Sequence, residues 1–228
     1  MAVVHQTTMQ PTKLELLTEW LPTREWHAGG EARPERVGGF RLDDPAGEVG
    51  IEFMAVTDGE GDGATTHLVP LTYRGEPLDG AEHALVGTSE HGVLGKRWIY
   101  DGTHDPVLVG QLYALLTGRA QAQAQSLSDV PDLTVAVSPL TVEGAEGAEG
   151  AADAAGAELV RVEDGPDHTD VVLRTPGTPA PLALRVRRVL RAGTDLDPGV
   201  AGVTAEWRLP DGTSVRGVFA AEVTGLGV

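Results

Sequence analysis

The sequence predicts an α+β protein: one long helix on a curved antiparallel sheet, followed by a small antiparallel β lobe. Three observations carry this. Between Val37 and Gly102 the chain runs in short apolar stretches broken by turn residues. A single long helical pattern starts at Asp105. After an acidic Ala/Gly-rich tract, short alternating runs resume and continue to Val223.

Taken in order, Thr12 and Glu15 form a capping box, and Leu14, Leu17 and Leu21 share one face, giving a short helix over 12–20. "RVGGFRLDD", "VGIEFMAVTD", "THLVPLTYRG", "HALVGTSEHG" and "KRWIYDG" read as strands with glycine-rich turns. "DPVLVGQLYALLTGRAQAQAQ" reads as the long helix. Asp105 caps it, Pro106 suits its first position, and Leu108, Leu112, Leu115 and Leu116 form its buried stripe. "VEGAEGAEGAADAAGAE" has no apolar period and reads as a solvated linker. "ELVRVEDG", "TDVVLRTPG", "APLALRVRRVLRAG", "GVTAEWRLPDG" and "TSVRGVFAAEV" are strands again, with a hairpin signal at Asp211-Gly212. The boundaries are 1–127 for the first domain, 128–158 for the connecting segment and 159–228 for the β lobe.

Composition narrows the function classes. The 228 residues are 41% hydrophobic but only 4% aromatic, so Val, Leu and Ala must build the core, with four tryptophans as large anchors. Thirty-four acidic against 17 basic residues give a net charge of -17, which disfavours nucleic acid and anionic membranes as partners. With no cysteine, disulfides, thiolate catalysis and Cys-ligated zinc drop out. "MAVVHQTTMQPTKLELL" lacks the basic and apolar regions of a signal peptide, and a cytoplasmic protein is expected.

Chemical motifs are few. "DGEGDG", Asp58 to Gly63, opens like a calcium loop, but the twelfth position is Val69 and no helices flank it. It reads as a solvated hairpin turn. "GVLGK", Gly92 to Lys96, lacks the first glycine of a P-loop, with Glu90 in its place, and Arg97 follows the lysine. His83 and His91 flank a turn and His104 precedes the long helix; no two histidines have the local spacing of a metal pair. No Gly-x-Ser-x-Gly elbow is present. The sequence therefore nominates no catalytic residue, no metal ligand and no cofactor.

One stretch stands apart, "LALRVRRVLRAGTDLDPG", Leu182 to Gly199. Strand alternation puts Arg185, Arg187 and Arg191 on one face, and Leu184, Val186, Arg188 and Leu190 on the other. The first face is either an exposed surface balancing nearby carboxylates or an anion site.

Three segments resemble actinobacterial maltokinases, ATP-dependent enzymes that phosphorylate maltose. "WLPTREWHAGG" (Trp20 to Gly30) resembles the opening of the maltokinase N-terminal cap. "IYDGTHDPVLVGQLYALL" (Ile99 to Leu116) is similar to the segment that closes it. "DGPDHTDVVLRTPGTPAPLALRVRRVLRAGTDLDPGV" (Asp164 to Val200) resembles the first strands of the kinase-like lobe. The resemblance implies a cystatin-like cap followed by a kinase N-lobe-like unit. It also implies departures. The strand lysine that pairs with ATP phosphates falls at Arg185, and a planar guanidinium does not simply replace an ammonium. The glycine-loop equivalent is "GPDHTDVV", with Asp167 and Asp170 where the family has serines. A carboxylate ~4 Å from a phosphate oxygen is repelled by about 4 kcal/mol per charge pair at surface-like dielectric. Gly165, Thr169 and Arg185 are then the remnant of a nucleotide site. Because the sequence ends soon after the β lobe, the helical lobe with its catalytic and metal-binding groups is expected to be absent.

The resulting expectation is a non-catalytic binding or regulatory protein of trehalose, maltose and α-glucan metabolism. Its expected partner is another protein of that metabolism or a second copy, with no nucleic acid and no membrane. One alternative is the nucleotide-facing subunit of a split sugar kinase completed in trans. Another is a maltose- or α-glucan-binding module, with Trp20, Trp26 or Trp98 stacking on sugar. Scarcity favours core anchoring for these and for Trp207.

Overall fold

The structure is a computed structural model that describes residues 9–125, 130–141, 156–175 and 177–223. Most of the acidic Ala/Gly-rich tract, 142–155, lies outside the described residues. The elements are β1 (Met9–Gln10), α1 (Lys13–Trp20), β2 (Glu35–Leu42), β3 (Gly50–Asp58), β4 (Thr65–Arg74), β5 (Leu85–His91), β6 (Gly95–Asp101) and α2 (Pro106–Leu116). They continue as β7 (Ala136–Ser138), β8 (Glu158–Asp164), β9 (His168–Arg174), β10 (Leu182–Arg187), β11 (Gly202–Arg208) and β12 (Ser214–Glu222).

All pairings between these strands are antiparallel, and they join into one sheet in the order β1-β5-β6-β4-β3-β2-β11-β12-β10-β9-β8, with β7 beside β11. The protein is thus mainly β, and its two helices among the described residues are short. No helix among them is long and apolar enough to cross a membrane.

The apolar runs of β3 and β4 are almost continuous because both faces are covered. Ile51, Phe53 and Ala55 point into a core shared with α2; Met54 and Val56 point into a second core under α1. The capping box of α1 forms as its sequence predicts. Glu15 N–H donates to Thr12 Oγ1 at 3.3 Å, and Thr12 N–H donates to Glu15 Oε2 at 2.7 Å. Thr12→Ala is expected to lower stability by about 1 kcal/mol, read as a fall in the urea midpoint at unchanged m.

The long-helix expectation is corrected. Helix α2 starts as predicted, with Asp105 accepting from Val107 N–H at 2.9 Å and Pro106 at its first position. It ends at Leu116, after eleven residues. Thr117 Oγ1 donates back to Tyr113 O at 2.9 Å, and Gly118 turns the chain with φ +73°. Gln123, expected to be helical, instead exchanges two backbone hydrogen bonds of 2.9 Å with Arg41 beside β2. Nor is α2 amphipathic with one buried stripe: Leu108 through Leu116 are all buried. A helix buried all round is the sign of an element enclosed rather than laid on a surface.

What encloses it comes from both halves of the chain. The core around α2 contains Phe40 and Phe53 from β2 and β3, and Leu173, Leu184, Val203 and Phe219 from β9 to β12. The two halves meet at two seams. In one, β2 pairs with β11 through Gly38 and Trp207. The Gly-Gly pair permits this: a Cβ on Gly38 would lie 2.9 Å from Trp207 Cα, and one on Gly39 (φ +118°) would lie 2.0 Å from the Phe53 carbonyl oxygen. In the other, the chain just past β10 pairs with the start of β4: Leu68 N–H donates to Arg188 O at 3.1 Å and Leu190 N–H to Thr66 O at 2.8 Å.

Candidate functional site

The residues of the predicted nucleotide remnant lie close together, and each is already committed. Arg185 and Asp170 are cross-strand partners on β10 and β9. The guanidinium donates in a fork, Nε to Oδ1 and Nη2 to Oδ2, both at 2.8 Å. This bond to Asp170 raises the Arg185 pKa further above its ordinary value. Asp167 receives His168 Nδ1 at 2.9 Å and faces Arg191 Nη2 at 3.8 Å; the His168 bond holds its carboxyl below the usual range. Gly165 sits in the β8–β9 turn under the His168 ring, where a Cβ would meet Cε1 at 2.4 Å. Thr169 is fully buried; its hydroxyl donates to Asp164 and accepts from Arg188 Nε at 2.7 Å.

That last contact leads to a residue sequence reasoning passed over. Arg188 has no solvent exposure at all. Its Nη2 donates to Asp101 Oδ2 at 2.5 Å and to Thr103 Oγ1 at 2.9 Å. Its guanidinium carbon lies 5.0 Å from the Trp26 ring centroid, a cation–π contact. Nη1 meets no acceptor among the described residues. One side chain of the second half therefore engages three residues of the first half, Trp26 near one end of the cap-like region and Asp101 and Thr103 near the other. Alternation had placed Arg188 among Leu184, Val186 and Leu190, which was the signal for an inward arginine.

Histidines and carboxylates ring this centre. His67 is 2% exposed, places Nδ1 3.3 Å from Arg188 O, and lies 5.6 Å from Trp26 and 5.4 Å from His27 between ring centroids. Burial is the main reason its pKa falls to about 4. His27 Nε2 contacts Asp58 Oδ2 at 2.9 Å, and Asp58 also accepts Arg33 N–H at 2.5 Å. These bonds explain the first aspartate of "DGEGDG": it anchors the cap, and the rest is a tight turn between β3 and β4. On the other side lies His104, whose pKa burial lowers, in reach of the charges of Asp101, Asp164 and Arg188. Its Nδ1 stands 3.1 Å from His83 Nε2. Asp105 is wholly buried and takes a fork from Arg74, 2.6 and 2.7 Å. Each polar residue of "DGTHD" thus has an assigned contact.

The tryptophans proposed for sugar contact are placed differently from one another. Trp20 and Trp26 are 6% and 2% exposed and pack edge to face at 5.7 Å in the core beneath α1. Trp207 is 2% exposed at the seam. Trp98 is half-buried, with Lys96 Nζ 4.9 Å above its ring. Among the described residues no group of three or more histidines and carboxylates converges as for a metal ion. A shallow groove of about 400 Å³ lies elsewhere, at the C-terminal end of α2, lined by Leu115, Ala122, Pro131, Leu133, Val135 and Val137 among others.

These features define a mainly antiparallel β protein whose first part is joined to the rest by a buried arginine. Residues 20–105 match the maltokinase N-terminal cap domain, so this part of the chain is maltokinase cap-like. The match opens at Trp20 and closes at Asp105, the two ends that Arg188 brings together through Trp26, Asp101 and Thr103. The Asp164 to Val200 segment lies beyond the matched range. No curated protein matches the chain.

Proposed function

We propose that the chain is a non-catalytic binding or regulatory protein related to maltokinase, acting among the cytoplasmic enzymes of trehalose, maltose and α-glucan metabolism. The observation that carries the reading is the Arg185–Asp170 fork. In a protein kinase the corresponding strand lysine pairs with ATP phosphates and with a glutamate on the following helix. Here the cation's partner is a carboxylate on the neighbouring strand, and residues 188–201, which follow β10, contain no helix. A phosphate approaching Arg185 must displace Asp170 and then stand beside it and Asp167. The related pocket is filled from within, which suits a protein that recognises a partner through its surface. An excess of 34 acidic over 17 basic residues suits a basic patch on another protein of that metabolism.

Calorimetric titration with Mg-ATP is expected to give no saturable heat. Saturable heat that Arg185→Ala removes would replace this reading with a kinase subunit completed in trans. Maltose titration quenching the half-buried Trp98 would instead favour a sugar-binding module. In cells, loss of the chain is expected to change maltokinase or trehalose synthase activity in extracts; unchanged activities would remove the pathway assignment.

A further inference from the structure

We propose that His83 and His104 form a two-histidine site for a borderline divalent transition-metal ion such as Zn²⁺, Ni²⁺ or Cu²⁺. The two residues are 21 positions apart, so no local spacing announces them. The fold brings them together. His83 lies in the turn Glu82–Ala84 that leads into β5, and His104 in the turn Gly102–His104 that leads into α2. His83 Nε2 and His104 Nδ1 stand 3.1 Å apart, with ring centroids at 4.7 Å and planes at 87°. Two imidazole nitrogens each about 2.0–2.1 Å from one tetrahedral ion stand about 3.3 Å apart. The pair is therefore close to chelating distance before any ion arrives.

Imidazole ligands select the class of ion. Nitrogen donors suit zinc, copper and nickel, while magnesium and calcium need oxygen cages. In the ion-free pair one ring donates its N–H to the other. Coordination replaces that bond: the shared proton moves to the far nitrogen of its own ring, and both near lone pairs face the ion.

The surroundings support the site without adding ligands. Asp101 and Asp164 are near enough for their charges to act on His104, and Arg188 acts in the opposite sense. Asp101 is bonded to Arg188 and Thr103, and Asp164 to Thr169. Since no third protein ligand converges among the described residues, the remaining positions go to water or to an oxygen or nitrogen supplied by whatever docks there. His83 is exposed and His104 half-buried, so an ion reaches the pair from solvent. It would sit on the rim of the Arg188 centre that joins the two halves.

The test is titration of the full chain with ZnCl2, followed by NiCl2 and CuCl2, by calorimetry. One saturable equivalent is expected, with a rise in Tm that grows with ion concentration. His83→Asn, at an exposed turn, should retain the parent circular dichroism yet bind more weakly by at least the about tenfold that outer-shell changes cost. His91→Asn should bind like the parent. Imidazole signals of His83 and His104 should be the first to shift with Zn²⁺ in NMR spectra of the unmodified protein. Heat that survives His83→Asn unchanged, shifts confined to other histidines, or no saturable binding at millimolar ion would each overturn the proposal.

Discussion

Arg188→Met is expected to lower the unfolding free energy by about 3–5 kcal/mol, the cost of leaving a buried charge without its partner. The orphan is Asp101, 3% exposed, which keeps only its Thr103 bonds once Nη2 is gone. Thr103 and Thr169 lose donors at the same time, and Trp26 loses its cation. Arg185→Met is the control. That fork is stronger in geometry, but its arginine side chain is 30% exposed, so water reaches the carboxylate left behind and the loss is expected to be smaller than for Arg188. The ordering runs against the sequence-based emphasis on Arg185. Urea unfolding of both variants decides it: equal midpoints would mean that the Arg188 centre does not hold the halves together. The double variant Arg188→Met with Asp101→Leu separates charge from packing. It should recover a large part of the loss, because an apolar pair replaces the ion pair without stranding either charge.

The contrast between the two arginines shows where sequence reasoning succeeds and stops. Period and caps are local quantities. Thr12 with Glu15, and Asp105 with Pro106, announced both helix starts, and the strand runs were legible from their turn residues. The end of α2 was also written locally, in Thr117-Gly118 and in the two-residue alternation of "RAQAQAQ", which is a strand period and not a helical one. Pairings across the chain have no such signature. Arg188 meets Asp101 across 87 positions, and Gly38 accepts Trp207 from the far half. The inward face of Arg188 could be read by alternation, while the anion-site alternative concerned the opposite face of Arg185, Arg187 and Arg191. What decided its role was the carboxylate waiting on another strand. The double glycine in "RVGGFRL" lies inside β2 and leaves room for Trp207 of the far half, a partner that no local pattern names.

The second large effect is a loss of stability in mild acid, traced to His67. Its folded pKa is about 4 against an ordinary 6.5, chiefly through burial and secondarily through the charge of His27; the Arg188 carbonyl and Asp58 oppose the shift. The sign follows from proton counting. Below pH 6.5 the unfolded chain takes up a proton at this residue, and the folded chain does not until about pH 4. The contribution is therefore fully present above 6.5 and falls away as pH drops to about 4, a total of about 3 kcal/mol from this group. His104, lowered from the same ordinary value, adds loss in the same direction. Asp58, held below its ordinary 3.8, acts only at lower pH. Urea unfolding measured at intervals from pH 7.5 to 4 should show the decline, and His67→Gln should flatten it while leaving the share owed to His104. The slope is the quantity to compare, since the substitution will also shift stability at every pH. Parallel pH profiles for parent and variant would show that His67 does not carry the effect, and that the cap's contact with the Arg188 carbonyl tolerates a protonated imidazole.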